Sequence, residues 1–360
     1  MKKIDKTLLI SVIILSLFGL LMIYSSSCIW ADYKFNDPYK YLKSQGLFLI
    51  LGYFLIYIIS KINYQIYYKY SNYILLICSI LLVLVLIPGI GSIRNGSRSW
   101  FGIGSFGIQP SEFAKLGLII FTSKYLTNNK IKSIRSSVFP ILLVVFFLFG
   151  LIMLQPDFGT GVILVMTIIA ILFISGVSMS FFTILGVLGL ICIVILIIIA
   201  PYRLERITSF INPWADPLGS GFQIIQSLYA IGPGGLLGMG LGNSIQKHFY
   251  LPEPQTDFIF SIISEELGFA GILIISCLFI TIIYHGINIS LKQEDNFAKY
   301  LSFGITFSLS FQTLLNLMVV VGLIPVTGVT LPFLSYGGSS LLVSMVSIGI
   351  LLNISKYNSQ

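Results

Sequence analysis

From Leu301 to Ser355 the chain carries no charged side chain, and from Val138 to Ala200 it carries one, Asp157. Each stretch is long enough for two or three helical crossings of a bilayer, at about 20 residues apiece. No aqueous domain hides that much apolar surface. Of the 360 residues, 56% are hydrophobic and 9% are charged, so lipid must be the solvent for most of the molecule. Helices are the spanning element, because hydrocarbon offers backbone groups no partners and a helix satisfies its own. A β-barrel would show short alternating segments, and these runs are continuously apolar.

Ten spans are expected, at about 7–24, 45–60, 71–88, 110–127, 138–154, 159–176, 180–200, 258–290, 300–321 and 336–354. The eighth exceeds one crossing, so its first turns are expected outside the hydrocarbon. The start, Met1-Lys2-Lys3 and then an apolar run from Leu8, imitates a signal peptide. Ser25-Ser26-Ser27-Cys28 is a poor cleavage site, and the run is read as the first span. With the N-terminus in the cytoplasm, twelve of the 21 lysines and arginines fall inside, eight fall outside, and Lys115 falls within a span. The fold class is thus all-α polytopic membrane protein, one membrane domain over 1–360. A large extracytoplasmic loop, about 201–257, lies between helices 7 and 8. A second outside loop covers about 89–109. No ATP is present on that face, which argues against an ATP-coupled cytoplasmic enzyme. The net charge of +8 resides in short loops between spans, so it reflects topology and lipid headgroups rather than nucleic acid. Cys28, Cys78, Cys192 and Cys277 are scattered, with neither metal-ligand spacing nor a disulfide framework.

Charge is so scarce that each carboxylate needs a reason to be present. Asp257 stands in a polar, proline-broken stretch, Tyr250-Leu251-Pro252-Glu253-Pro254-Gln255-Thr256-Asp257-Phe258, where loop meets span. A helix starting near Thr256 would align Asp257, Ser261 and Glu265 on one face. Glu265 or Glu266 pairs with a lysine or solvates at headgroup level. Arg94 to Phe101 places arginines and Trp100 at interfacial depth, where a tryptophan is an anchor or a ligand contact. Pro110 and Ser111 read as a helix start, with Ser111 as N-cap. Glu112 and Lys115, three apart, share a face. They either hold two helices in register or wall a headgroup cavity. Asp157, in Gln155-Pro156-Asp157-Phe158-Gly159-Thr160, caps the next helix. The glycine-rich run after Gln223 lacks the strand and helix of a dinucleotide fingerprint, and is expected to be flexible backbone over the membrane surface. Lys247, Arg203 and Arg206 are placed to meet a pyrophosphate. Two prolines and four glycines in Gly322–Gly328 and Leu331–Ser340, which includes Ser335, imply a broken, re-entrant segment. His285 is expected to be structural, near the inner end of the eighth span.

Together these segments resemble the SEDS family of bacterial membrane proteins, the FtsW, RodA and SpoVE group, over nearly the whole chain. The most specific pieces are Arg94 to Lys115, Pro156 to Thr160, Gln226 to Gly268, and Asn316 to Ser340. Ser227–Gly235 and Phe249–Phe258 are most similar to the FtsW and SpoVE branch, which serves division or sporulation septa; RodA, for elongation, is the near alternative. The resemblance implies a peptidoglycan glycosyltransferase that polymerises lipid II at the outer face of the cytoplasmic membrane. It implies a class B penicillin-binding protein as transpeptidase partner, together with divisome components. The family's catalytic aspartate falls on Asp257, its functional tryptophan on Trp100 and its glutamate–lysine pair on Glu112 and Lys115. The expected substrate-binding set is Trp100, Arg98, Glu112, Lys115, Lys247 and Ser335. Ile245 and His248 depart from the division branch, which often has arginine and an aromatic residue there, leaving Lys247 as the main phosphate candidate in that stretch. No cofactor is identified; a divalent cation could bridge the pyrophosphate, but no ligand cluster requires one. Two rival readings use the same bundle: a transporter that flips lipid II, and a non-catalytic scaffold that recruits a synthase.

Overall fold

A computed structural model describes residues 4–94, 96–102, 107–129, 137–199 and 208–357. Arg203 and Arg206 lie outside the described residues. The chain is mostly helical, and each of the ten expected segments coincides with a helix. In order these are α1 (Lys6–Phe35), α2 (Lys40–Lys61), α3 (Gln65–Leu86), α4 (Pro110–Asn128), α5 (Phe139–Met153), α6 (Phe158–Ile174) and α7 (Met179–Ile199). A short helix, α8 (Phe222–Ile231), precedes α9 (Ile259–Leu291), α10 (Asn296–Val320) and α11 (Gly338–Ser355). Among the described residues, six helices are long and apolar enough to cross a membrane: α1, α2, α3, α9, α10 and α11. The protein is a polytopic membrane protein.

Local chemistry sets the helix ends. Asp5 caps α1 by accepting from Leu8 N at 3.0 Å, and Asn36 closes it in the left-handed region at φ 52°. Asp295 caps α10 through Phe297 N at 3.0 Å. Asp157 caps α6 through Thr160 N at 3.1 Å, as the sequence suggested. At the start of α4 the expectation fails in part. Pro110 does open the helix, but the cap position is Gln109, and Ser111 lies inside the first turn. The Ser111 hydroxyl donates sideways to Asp157 Oδ2 at 3.3 Å. α1 also runs well beyond the expected 7–24. The serines at 25–27 do not end it, because Ser26 and Ser27 bond back to Ile23 O and Ser25 finds a buried partner in Glu266.

α11 packs along α2, α3 along α4, α9 along α10 and α1, and α10 along α4 and α6. α1 closes on the irregular segment after α10. A Cβ at Gly19 would stand 2.4 Å from Phe333 O, so only glycine admits that approach. The outward faces are apolar; Ile50, Phe54, Leu76, Phe146 and Ile198 are all exposed, as lipid contact requires.

The helices share two ends. Asp5 meets His285 at 2.7 Å and Ser355 at 3.1 Å, Tyr64 meets Asn353 and Asp295, and Tyr68 meets Asn128. This end gathers Lys6, Lys61, Lys69, Lys124, Lys292, Lys299 and Lys356, and here bases outnumber acids. The opposite end carries the loops on either side of α4, the turn at 154–157, α8 and the start of α9. There, among the described residues, acids outnumber bases.

Candidate active site at the acidic end

Asp257 lies two residues ahead of α9 and is half-buried. The helix begins at Ile259, not near Thr256. Asp257 therefore belongs to the turn, while Ser261 is fully buried and bonded to Ser227 at 2.7 Å. Three successive carbonyls fix this turn. Gln255 O accepts from Tyr336 N at 2.8 Å, Thr256 O from the Ser335 hydroxyl at 2.6 Å, and Asp257 O from Asn316 Nδ2 at 2.8 Å. All three donors come from α10 or the irregular segment after it. Phe258, only 2% exposed, anchors the next position. The Asp257 backbone is thus held from outside its own helix. Its carboxylate faces Gly328, where a Cβ would stand 3.8 Å from Oδ2.

The irregular segment is itself built on amides. Asn316 Nδ2 donates a second bond to Val329 O at 2.7 Å. One turn earlier on α10, Gln312 Nε2 donates to Thr330 O at 3.0 Å, and its Oε1 accepts from Lys115 at 2.9 Å. Lys115 pairs with Glu112 at 3.0 Å, both nearly buried. A polar ladder therefore runs from the Glu112–Lys115 pair through Gln312 and Asn316 to the Asp257 carbonyl. Gln45 supports the other edge, bonding Ser335 O and Gly337 N. Ser335 is 4% exposed and ties Leu331 N to Thr256 O, so its placement is that of a pin for the turn rather than an open contact. Gln312, Asn316 and Gln45 were missed in the sequence. Amides in an uncharged membrane run were the available signal.

Trp100 and Arg98 sit on a β-hairpin that the sequence did not announce: β1 (Ser92–Arg94) pairs antiparallel with β2 (Ser97–Trp100). Ser92 Oγ bonds Trp100 O at 3.1 Å, and the Ser97 hydroxyl bonds Gln155 O. Both side chains are half-buried. The hairpin thus leans on the turn that holds Asp157, which in turn accepts from Gln109 at 2.9 Å.

Lys247 is placed differently from the expectation. It is 4% exposed and pairs with the fully buried Glu266 at 3.0 Å. Ser25 donates to Glu266 at 2.7 Å, and Glu265 accepts from Ile245 N at 2.8 Å. An ammonium so enclosed must break a buried pair before it meets a phosphate, so the geometry favours anchoring for Lys247. The glycine-rich run is also no loose coil. α9 breaks at Gly268, with φ 60° and ψ −157°. Across the break, Met239 N and Gly240 N donate to Glu265 O and Glu266 O, both at 2.9 Å. Phe269 N and Ala270 N donate to Gly235 O and Leu236 O at 2.9 and 3.0 Å. The loop supplies what the helix lacks. Among the described residues, no three His, Cys, Asp or Glu side chains gather as a metal-binding group.

A many-pass helical membrane protein whose polar ladder ends on a pinned aspartate is the class that fold and site define. The chain belongs to the family of FtsW, RodA and SpoVE cell cycle proteins, whose profile matches residues 5–360. It is 52% identical over 356 residues to stage V sporulation protein E of Bacillus subtilis strain 168, covering 98% of this chain and 97% of that one. It is 42% identical to the probable peptidoglycan glycosyltransferase FtsW of Coxiella burnetii, covering 97% and 95%. The fold matches the crystal structure of RodA from Thermus thermophilus with TM-score 0.74 and 26% identity, covering 99% and 98%. It also matches a chain of a peptidoglycan synthase complex that coordinates polymerization and crosslinking, with TM-score 0.80 and 28% identity, covering 98% of each.

Proposed function

We propose that this protein is a peptidoglycan glycosyltransferase that polymerises lipid II for septal wall synthesis, with Asp257 as its general base. The observation that carries the assignment is the carboxylate held at a turn with three pinned carbonyls, on the end of the bundle where, among the described residues, acids outnumber bases. By the positive-inside bias the base-rich end is cytoplasmic. The site then faces outward, both termini face inward, and all ten apolar helices span.

Asp257 takes the proton of the 4-hydroxyl on the acceptor sugar of lipid II. The freed oxygen attacks the anomeric carbon of the growing strand, and lipid pyrophosphate leaves with the bonding electron pair. Hydrolysis of a glycoside needs a second carboxyl group to protonate the leaving group. Pyrophosphate does not, provided cations hold its charge. Of the cations in the expected substrate-binding set, Lys115 and Lys247 are held in buried pairs and Arg98 is half-buried on the hairpin, so phosphate contact is assigned to Arg98, beside Trp100. Glu112 and Lys115 form the polar wall behind. Crosslinking belongs to a transpeptidase partner of the class B penicillin-binding type, within the division or sporulation machinery. The buried ladder from Glu112 and Lys115 through Gln312 and Asn316 reaches only the end that carries Asp257, which favours a one-sided polymerase over a flippase.

Purified Asp257→Asn protein should fold and melt as the parent does, yet polymerise lipid II more slowly by about 10²–10⁴-fold, the usual contribution of a positioned base. A normal rate removes the assignment.

A further inference from the structure

Far from Asp257, at the base-rich end, a groove of about 270 Å³ opens between α1, α2 and α11. Its walls are Leu9, Ile13, Ile56 and Leu352. It runs along α2 from Ser60 to Tyr53, about 10 Å at 1.5 Å per residue. Its axis is that of the helices, and so that of the surrounding acyl chains. Tyr53 closes the deep end, and its hydroxyl is already bonded to Ser16 at 2.8 Å, so the interior asks for no polar partner.

The mouth has the opposite chemistry. Lys61 Nζ bonds the hydroxyl of Tyr57, a lining residue, at 2.5 Å and lies 3.8 Å over its ring. Lys356 Nζ donates to the carbonyl of Ser60, another lining residue, at 2.6 Å. Each ammonium keeps further donors unassigned. No ion pair among the described residues includes either lysine. Of the acids at this end, Asp5 caps α1 and pairs with His285, and Asp295 caps α10 and accepts from Tyr64 and Gln65.

From this we infer a lipid site: an anionic phospholipid of the adjacent leaflet, with one acyl chain in the groove and its headgroup phosphate between Lys61 and Lys356. A zwitterionic lipid carries its own ammonium to the same lysines and gains less. A basic residue near the headgroup plane favours an anionic lipid by roughly fivefold. The site does not depend on the reading of Asp257.

The test uses delipidated full-length protein in mild detergent, with lipid retention read by native mass spectrometry and melting temperature. The probes are phosphatidylglycerol, phosphatidylcholine and undecaprenyl phosphate. The parent should prefer phosphatidylglycerol over phosphatidylcholine by about tenfold or more, and added salt should erase the preference. K61Q/K356Q should bring the two lipids to near parity with the lipid-free melting temperature unchanged. Ile13→Trp, which fills the groove, should lower retention of phosphatidylglycerol; if it folds poorly, the lysine pair still decides. Parity in the parent, a preference that survives K61Q/K356Q, or undecaprenyl phosphate displacing phosphatidylglycerol would each overturn the inference.

Discussion

Asn316 serves two carbonyls with a single amide nitrogen, those of Asp257 and Val329. Asn316→Leu would strand both in a buried place and let the turn drift. A shift of about 1 Å at a reacting group costs on the order of 10²-fold in rate. Asn316→Leu should therefore lower the rate of lipid II polymerisation by about that factor while lipid II affinity changes little; an equal loss in both would mean general unfolding. Lys247 calls for a different expectation. Lys247→Met leaves Glu266 charged and buried, and should cost about 3–5 kcal/mol of stability. K247M/E266L should recover much of it, with thermal unfolding as the readout. Legibility at this scale followed sequence distance. Glu112 and Lys115 were readable as a pair because a helix sets neighbours three apart side by side. Lys247 and Glu266 are nineteen positions apart and meet only because the chain folds back on a helix, which no local spacing encodes. That is why Lys247 looked available for phosphate.

Elements were legible where apolar runs are long and obscure where two elements share hydrogen bonds. The run from Phe258 reads as one helix of 33 residues, about 50 Å, too long for one crossing. The break at Gly268 resolves the mismatch, leaving Phe269–Leu291 to cross, about 34 Å. The tight contact there, with a Cβ at Gly268 only 2.4 Å from Gly238 N, has no signature in hydropathy. Gly268→Val should force this backbone toward helix and expel the loop. Limited proteolysis is expected to cut between 235 and 258 in the variant and spare the parent; an equally resistant variant would show that the loop is held by other contacts. The hairpin of Trp100 was hidden for a related reason. Its pairing is short, and it is stabilised by the turn at Gln155 rather than by its own strands.

For the whole molecule, the sequence assigns twelve lysines and arginines to the end of Asp5 and eight to that of Asp257, and the orientation rests on that difference. A cysteine at Glu253, exposed at the acidic end, should react with a membrane-impermeant maleimide on intact cells. One at Glu294, exposed at the other end, should react only after permeabilisation. The reverse pattern would place Asp257 in the cytoplasm and remove the proposed reaction. The bundle itself was readable from composition, because lipid permits so few solutions. How its loops close over the site was not, since that depends on contacts between segments distant in sequence.

One consequence concerns motion. Four peptide groups at the interruption of α9 are answered only by the glycine strand laid against them. Peeling that segment away would strip all four of the partners they have here. The strand and the short helical stub above Gly268 therefore travel as one piece, and Asp257, which leads into that stub, rides with them. That block is tied to α10 through the Asn316 amide, so a displacement of either one is passed to the other.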